Sequence, residues 1–447
     1  MRNLLLSTVV TAGLLLNPVQ AADSVKDAVS KDYNEYLKEL FVHFHKNPEL
    51  SLIENKTAAR MAKELGAAGF EVHESVGVPV DGFKPTGIVA IMKNGDGPLV
   101  MMRADMDGLP VQEKSGLDYA SKATQNSPIT GKEVPVMHAC GHDVHITSMV
   151  GTARHMAANK DKWSGTLMLI VQPAEERVLG AKAMMDANIW SRFGQPDYGL
   201  AFHVTSTGEL GKVNVLAGAP YAGVDSVDII IHGVGAHGAS PHSGKDPIVL
   251  GSQIVLGLQT LVSRELSPRQ PGVVTVGSFH SGLKHNIISD RAVLQLTVRN
   301  TNEETRKLLL AGIKRIAENM GRVAGLPEDK LPEVKVSKEW SPPMVNDDDL
   351  ANHLKALWQD KMGEERVVSI PPTGMGAEDF PFFVIQPKLK SVYWAVGGTP
   401  KSEMDAAANG GDPIPSHHSP IFKVHPDSVK VGVESTVHAL MDLMSKK

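Results

Sequence analysis

Gly165-Thr-Leu-Met-Leu-Ile-Val-Gln-Pro-Ala-Glu-Glu176 runs from a nearly unbroken apolar stretch straight into two adjacent carboxylates. Such a run, without polar alternation, suits a strand covered on both faces. Similar runs occupy residues 87–92, 98–102 and 198–204, and helical patterns separate some of them, notably at 144–158 and 181–187. Upstream, residues 33–45 and 56–69 carry apolar residues at three- and four-residue spacing, with Gly69 where a helix would stop. Strands alternating with helices predict an α/β sheet with helices on both sides.

The texture changes near Ala217. Residues 224–232 alternate in part, and a helical stretch follows at 247–263. Strands at 272–279 and 292–299 lead to a helix at 303–324, for which Thr301-Asn-Glu-Glu304 is a capping-box start. With a closing strand at 332–336, this is the outline of a small α+β sandwich. Beyond Trp340-Ser-Pro-Pro343 the α/β texture returns, with a helix at 347–362, a strand at 391–396 and a last helix at 426–444. The expectation is a larger domain at 31–217 and 333–447, with a smaller one, 218–332, inserted in it.

Arg2, the apolar stretch 4–16 and Val19-Gln-Ala21 read as a secretory signal cleaved after Ala21, so 1–21 is expected to be removed on export, most simply to a periplasm. The apolar stretch is too short to span a bilayer. The full chain of 447 residues has a net charge of −5, and without 1–21 the balance is 44 Lys+Arg against 50 Asp+Glu. That mild acidity argues against nucleic-acid or anionic-membrane partners. One cysteine means no intramolecular disulfide, so a packed core must hold the exported chain.

That cysteine, Cys140, sits in Met137-His-Ala-Cys-Gly-His-Asp-Val-His145. A lone cysteine usually just packs, but core packing does not need this density of histidines. Arg103-Ala-Asp-Met-Asp107, the Glu175-Glu176 pair and His203 all follow or end apolar runs. Ligands of open α/β sheets gather at such strand ends, so these groups can converge. Adjacent carboxylates usually face solvent; after a covered strand, one of this pair could hold a metal while the other serves as a base. The thiolate, imidazoles and carboxylate suit zinc, with manganese, cobalt or nickel as options. His418 in Ser416-His-His-Ser-Pro420, His237 in Gly233-Val-Gly-Ala-His-Gly-Ala239 and the pair His285-Asn286 stand out as well, although singly such histidines are more often structural. Spacing chooses neither between His417 and His418 nor between His138 and His142.

The motifs His45-Lys-Asn-Pro-Glu-Leu50, Arg103-Ala-Asp-Met-Asp-Gly-Leu-Pro110, Met137-His-Ala-Cys-Gly-His-Asp143, Gln172-Pro-Ala-Glu-Glu176, Gly376-Ala-Glu-Asp-Phe380 and His418-Ser-Pro420 occur in this order. Through them the chain resembles the dinuclear-metal aminoacylases and carboxypeptidases, in the branch of hippurate hydrolases and indole-acetyl-amino-acid hydrolases. The resemblance runs from about Tyr36 to the last helix. It implies a catalytic α/β domain with a mixed, mostly parallel sheet and an inserted α+β sandwich lid that commonly pairs subunits into a homodimer. It implies two divalent metal ions per subunit bridged by Cys140, with His142 and His203 on one and Glu176 and His418 on the other. Glu175 would be the general base, Asp107 the acid that holds a liganding imidazole, His237 a stabiliser of the oxyanion, and Asn286 a lid residue near the substrate carboxylate. The substrate class implied is N-acyl amino acids or short peptides. The chain departs from the branch at Ile170-Val171, where an aromatic is usual, and at 122–133, which is longer and more polar; both bear on substrate rather than reaction.

Two other readings compete. Cys140 could be a nucleophile with His142 or His203 as base, indifferent to chelators and sensitive to thiol alkylation. Alternatively the fold could be a metal- or peptide-binding scaffold without catalysis, which would have no need of Glu175.

Overall fold

The structure is a computed structural model and describes residues 24–446; the expected signal segment 1–21 lies outside them. Gly165–Gln172 is a strand, buried along its length except at Thr166. It lies inside an eight-stranded sheet ordered Glu71–Val76, Gly87–Asn94, Gly165–Gln172, Leu99–Asp105, Tyr198–Glu209, Lys390–Thr399, Val213–Asn214, Val367–Val368. Gly165–Gln172, Leu99–Asp105, Tyr198–Glu209 and Lys390–Thr399 run parallel to one another, and antiparallel pairings lie to either side, so the sheet is mixed and mostly parallel.

Helices cover both faces, which is why the central strands are apolar throughout. One face takes His142–Ala158, Asp348–Met362, Ser428–Leu443 and the N-terminal helices around Leu37, Phe41 and Met61. The other takes Gly180–Asp186 and Pro381–Ile385, which pack Met184 and Phe383 against Met168 and Ile170. Leu169 is fully buried, and truncating such a side chain to alanine costs about 2–5 kcal/mol. The last helix presses close to the sheet at Gly432, where a β-carbon would come 2.6 Å from Ser148 Oγ and 2.7 Å from the Phe202 ring.

The inserted unit is a four-stranded antiparallel sheet, ordered Gly272–Ser281, Arg291–Asn300, Gly223–His232, Glu333–Ser341. Helices Pro247–Thr260 and Glu303–Val323 bury Ile254, Leu309 and Ile313 against Val227, Ile229 and Ile231. Two details differ from expectation. The closing strand, expected at 332–336, runs from Glu333 to Ser341. The cap of the second helix is Asn302, in extended backbone, whose side chain accepts from Thr305 N at 2.8 Å; Thr301 does not fill that role. The two connections between the units, Gly218–Tyr221 and Met344–Asn346, pair with each other as a two-stranded antiparallel ladder. Among the described residues, no helix is long and apolar enough to cross a membrane.

Candidate metal centre

Three adjacent parallel strands deliver their ends to one place. Leu99–Asp105 ends at Asp105, with Asp107 just beyond; Gly165–Gln172 leads through left-handed Ala174 (φ 50°) to Glu175 and Glu176; and His203 projects from Tyr198–Glu209. Gly141, with φ 86°, turns the chain from Cys140 into the helix His142–Ala158. A β-carbon there would sit 2.4 Å from Val204 Cγ1, so the turn excludes any side chain.

The donor atoms of Cys140, His142 and His203 lie within 4.8 Å of one another, and so do those of Cys140, Glu176 and His418, so both groups share the one thiol. Cys140 Sγ is 3.4 Å from His203 Nε2, and His418 Nε2 is 3.3 Å from Glu176 Oε2. His142 Nδ1 donates to Asp107 O at 2.9 Å and His203 Nδ1 donates to Val204 O at 2.6 Å. With each Nδ1 so engaged, each Nε2 is the ring nitrogen that lies with the shared thiol. Glu175 belongs to the same cluster, its Oε2 being 3.8 Å from His142 Nε2.

The cluster is unsatisfied by protein alone. His142 Nε2 and Glu176 Oε1 are buried without a hydrogen-bond partner, each a cost of about 1–3 kcal/mol. Burial, then Glu176 and Glu175, push the Cys140 thiol well above its ordinary range. Burial, then Glu378 and Glu176, push Glu175 up likewise, and burial first lifts Glu176 to about 8. A buried excess of negative charge around unpaired lone pairs is what a bound cation relieves. The residues present therefore fit divalent metals.

Supporting groups hold these donors. Asp107 Oδ1 accepts from Glu175 N at 3.2 Å, while its Oδ2 accepts from Glu176 N at 3.1 Å and Ser51 Oγ at 2.6 Å. Buried Glu54 accepts from Ala174 N at 2.8 Å, pinning the residue before the pair. Asp105 accepts from His145 Nδ1 at 2.5 Å, and His145 Nε2 accepts from Val204 N at 2.9 Å, so His145 is spent as a brace. Buried Arg103 donates to Asp105, Glu378 and Gln172 at 2.6, 2.7 and 2.7 Å, and more weakly to Asp379. His45 lies between Asp143 at 2.7 Å and Glu113 at 3.1 Å; burial lowers its pKa, but these two hydrogen bonds outweigh it and raise it to about 9.

The two histidine alternatives separate by geometry. His418 has φ 65° and faces Glu176, whereas His417 Nε2 is taken by Val204 O at 3.1 Å. His142 joins the cluster; His138 is buried with both ring nitrogens unpartnered, and burial pulls it down to about 4. His237 and Asn286 stand apart from the cluster. They sit on neighbouring exposed segments of the inserted unit, where Gly238 N donates to Asn286 O at 2.8 Å and His237 Nδ1 accepts from Ala239 N at 3.0 Å.

Sequence reasoning did not assign Asp105, Glu54, Glu378 or the role of Arg103. One signal was present: a charged residue inside the apolar run Val100-Met-Met-Arg103 must find buried partners. The long segment 122–133 contributes to a small hairpin, Thr124–Asn126 with Glu133–Pro135, and Gln125 Oε1 accepts from Leu50 N at 2.6 Å.

Residues 101–441 match the model of peptidase family M20/M25/M40. The chain is 35% identical over 341 residues to hippurate hydrolase of Campylobacter jejuni, covering 76% of this chain and 82% of that protein. It is 33% identical over 414 residues to thermostable carboxypeptidase 2 of Saccharolobus solfataricus, covering 92% and 95%. The fold also matches the crystal structure of the Bacillus subtilis YXEP protein, a dinuclear metal binding peptidase, with a TM-score of 0.72, 27% identity and coverage of 93% and 99%. Fold, donor cluster and sequence agree, and the chain belongs to peptidase family M20/M25/M40, as a metal-dependent amidohydrolase or peptidase.

Proposed function

We propose that this protein is an exported hydrolase of the amide bond in N-acyl amino acids or short peptides, with two divalent metal ions per subunit, zinc by preference. The observation that carries the reading is the pair of donor groups meeting at Cys140, with Glu175 beside them. Cys140, His142 and His203 would hold one ion, and Cys140, Glu176 and His418 the other. When bound, divalent ions polarise a scissile carbonyl and make water nucleophilic near neutral pH.

The chain's own residues do the rest. Glu175 takes a proton from the attacking water and returns it to the leaving amine nitrogen; burial, then the field of Glu378 and Glu176, raise its proton affinity and so favour the first of these transfers. Asp107 holds the backbone of both carboxylates at fixed angles. His237 would reach the reacting carbonyl only from a closed lid or a partner subunit, consistent with its exposed place in this chain. Asn286, beside it, would meet the substrate carboxylate in the same arrangement.

Replacement Glu175→Ala tests this. Turnover should be abolished while metal content stays near two per chain; loss of metal together with activity would make Glu175 a ligand and overturn its role.

A further inference from the structure

Tyr221 is the last residue of the connecting strand Gly218–Tyr221, paired with Met344. Its place is fixed from both sides: Ala222 N donates to Gly376 O at 2.7 Å, two residues before Glu378. The ring lies 4.9 Å from that of Tyr393, at 67°, and 6.3 Å from that of His203. The two phenols are used differently. Tyr393 donates to Glu378 Oε2 at 2.6 Å. The Tyr221 hydroxyl makes no hydrogen bond among the described residues, and its ring packs beside buried Tyr393 and His203. Its side chain is partly open to solvent while those neighbours are buried, so it stands at the mouth of the donor cluster.

A phenol is protonated at neutral pH and can offer a hydrogen bond, and a partly exposed one is free to offer it to an incoming molecule. From this placement we infer that Tyr221 is a further catalytic residue. Its hydroxyl donates to the carbonyl oxygen of the scissile amide as that oxygen gains negative charge. Unlike His237, it lies beside the site within the same chain, its ring next to those of His203 and Tyr393. This rests on the amide-hydrolase reading above. An alternative role, in which the ring merely packs against His203, makes a different prediction.

Tyr221→Phe keeps the ring and removes only the hydroxyl. Removing one donor to a developing oxyanion costs about 10²–10³-fold in kcat, and KM should change by less than about threefold because the interaction strengthens only in the transition state. Metal content and Tm should stay at wild-type values. A second readout is the Kd of an N-acyl-amino-acid phosphonate, a tetrahedral analogue, on the metal-loaded protein; it should weaken along with kcat while the product amino acid binds unchanged. Wild-type kcat and phosphonate affinity in the Phe variant would overturn the proposal and leave the hydrolase reading standing. A wild type that hydrolyses no amide yet binds the phosphonate through Tyr221 would overturn the hydrolase reading and keep the donor. A wild type that does neither would overturn both.

Discussion

Replacing Asp107 by asparagine isolates the part of the centre that is held by backbone rather than by ligands. The carboxylate has no spare oxygen: Oδ1 accepts from Glu175 N at 3.2 Å and Oδ2 from Glu176 N at 3.1 Å. Ser51 Oγ, at 2.6 Å from Oδ2, can rotate to accept instead. The two amides cannot. Whichever oxygen becomes the side-chain nitrogen, one backbone N–H of the pair loses its acceptor and faces a donor. A hydrogen bond to a charged acceptor is worth about 1.5–3 kcal/mol. If that cost falls on the bound geometry, metal affinity drops about 10–100-fold, the range seen when groups behind metal ligands are removed. Competition with a chromophoric chelator measures this, and circular dichroism of the metal-free protein checks that the fold is unchanged. An affinity within threefold of wild type in a folded variant would refute the reasoning.

Arg103→Met leaves Asp105, Glu378 and Asp379 buried without their shared cation, and breaking such a buried network costs about 3–5 kcal/mol; a Tm equal to wild type in thermal melts would contradict it. His45 holds its proton to about pH 9 in the fold, against 6.5 ordinarily. Its contribution, roughly 3 kcal/mol, is therefore full below pH 6.5 and lost as pH rises through about 9. Urea unfolding of wild type and His45→Gln should give a stability gap that narrows over that window, and a gap that widens would reverse the sign. Gly141→Ala, with a β-carbon driven into Val204 and a positive φ, should displace Cys140 and lose metal; wild-type metal content would show that the turn tolerates a side chain.

Covered strands announce themselves, because burial on both faces leaves only apolar residues to choose from; the runs at 87–92, 165–172 and 198–204 fall within strands of the main sheet, and that at 98–102 starts one residue before its strand, Leu99–Asp105. The strand Glu333–Ser341 was harder to delimit. It is an edge strand with alternating exposed charges, and its polar half reads like a connection. Local motifs likewise exposed the donor residues, since Cys140 and His142 share one turn and Glu175 and Glu176 one loop. Spacing did not choose His418 over His417; the family motif did, and the structure adds a positive φ at His418 and the engagement of His417 by Val204 O, neither visible in spacing. The bracing network stayed hidden for a different reason: Arg103 and Glu378 are 275 residues apart, and only the fold brings them to 2.7 Å. The placement of Tyr221 beside His203 and Tyr393 is long-range in the same sense.

The account stands or falls on whether amide hydrolysis depends on metal held at Cys140. The direct measurement is hydrolysis of a panel of N-acyl amino acids and dipeptides by the purified protein, after chelation and after adding back zinc, manganese, cobalt or nickel. Activity lost on chelation and restored at about two ions per chain is the predicted result. Activity indifferent to chelation but abolished by thiol alkylation would make Cys140 a nucleophile and contradict the account.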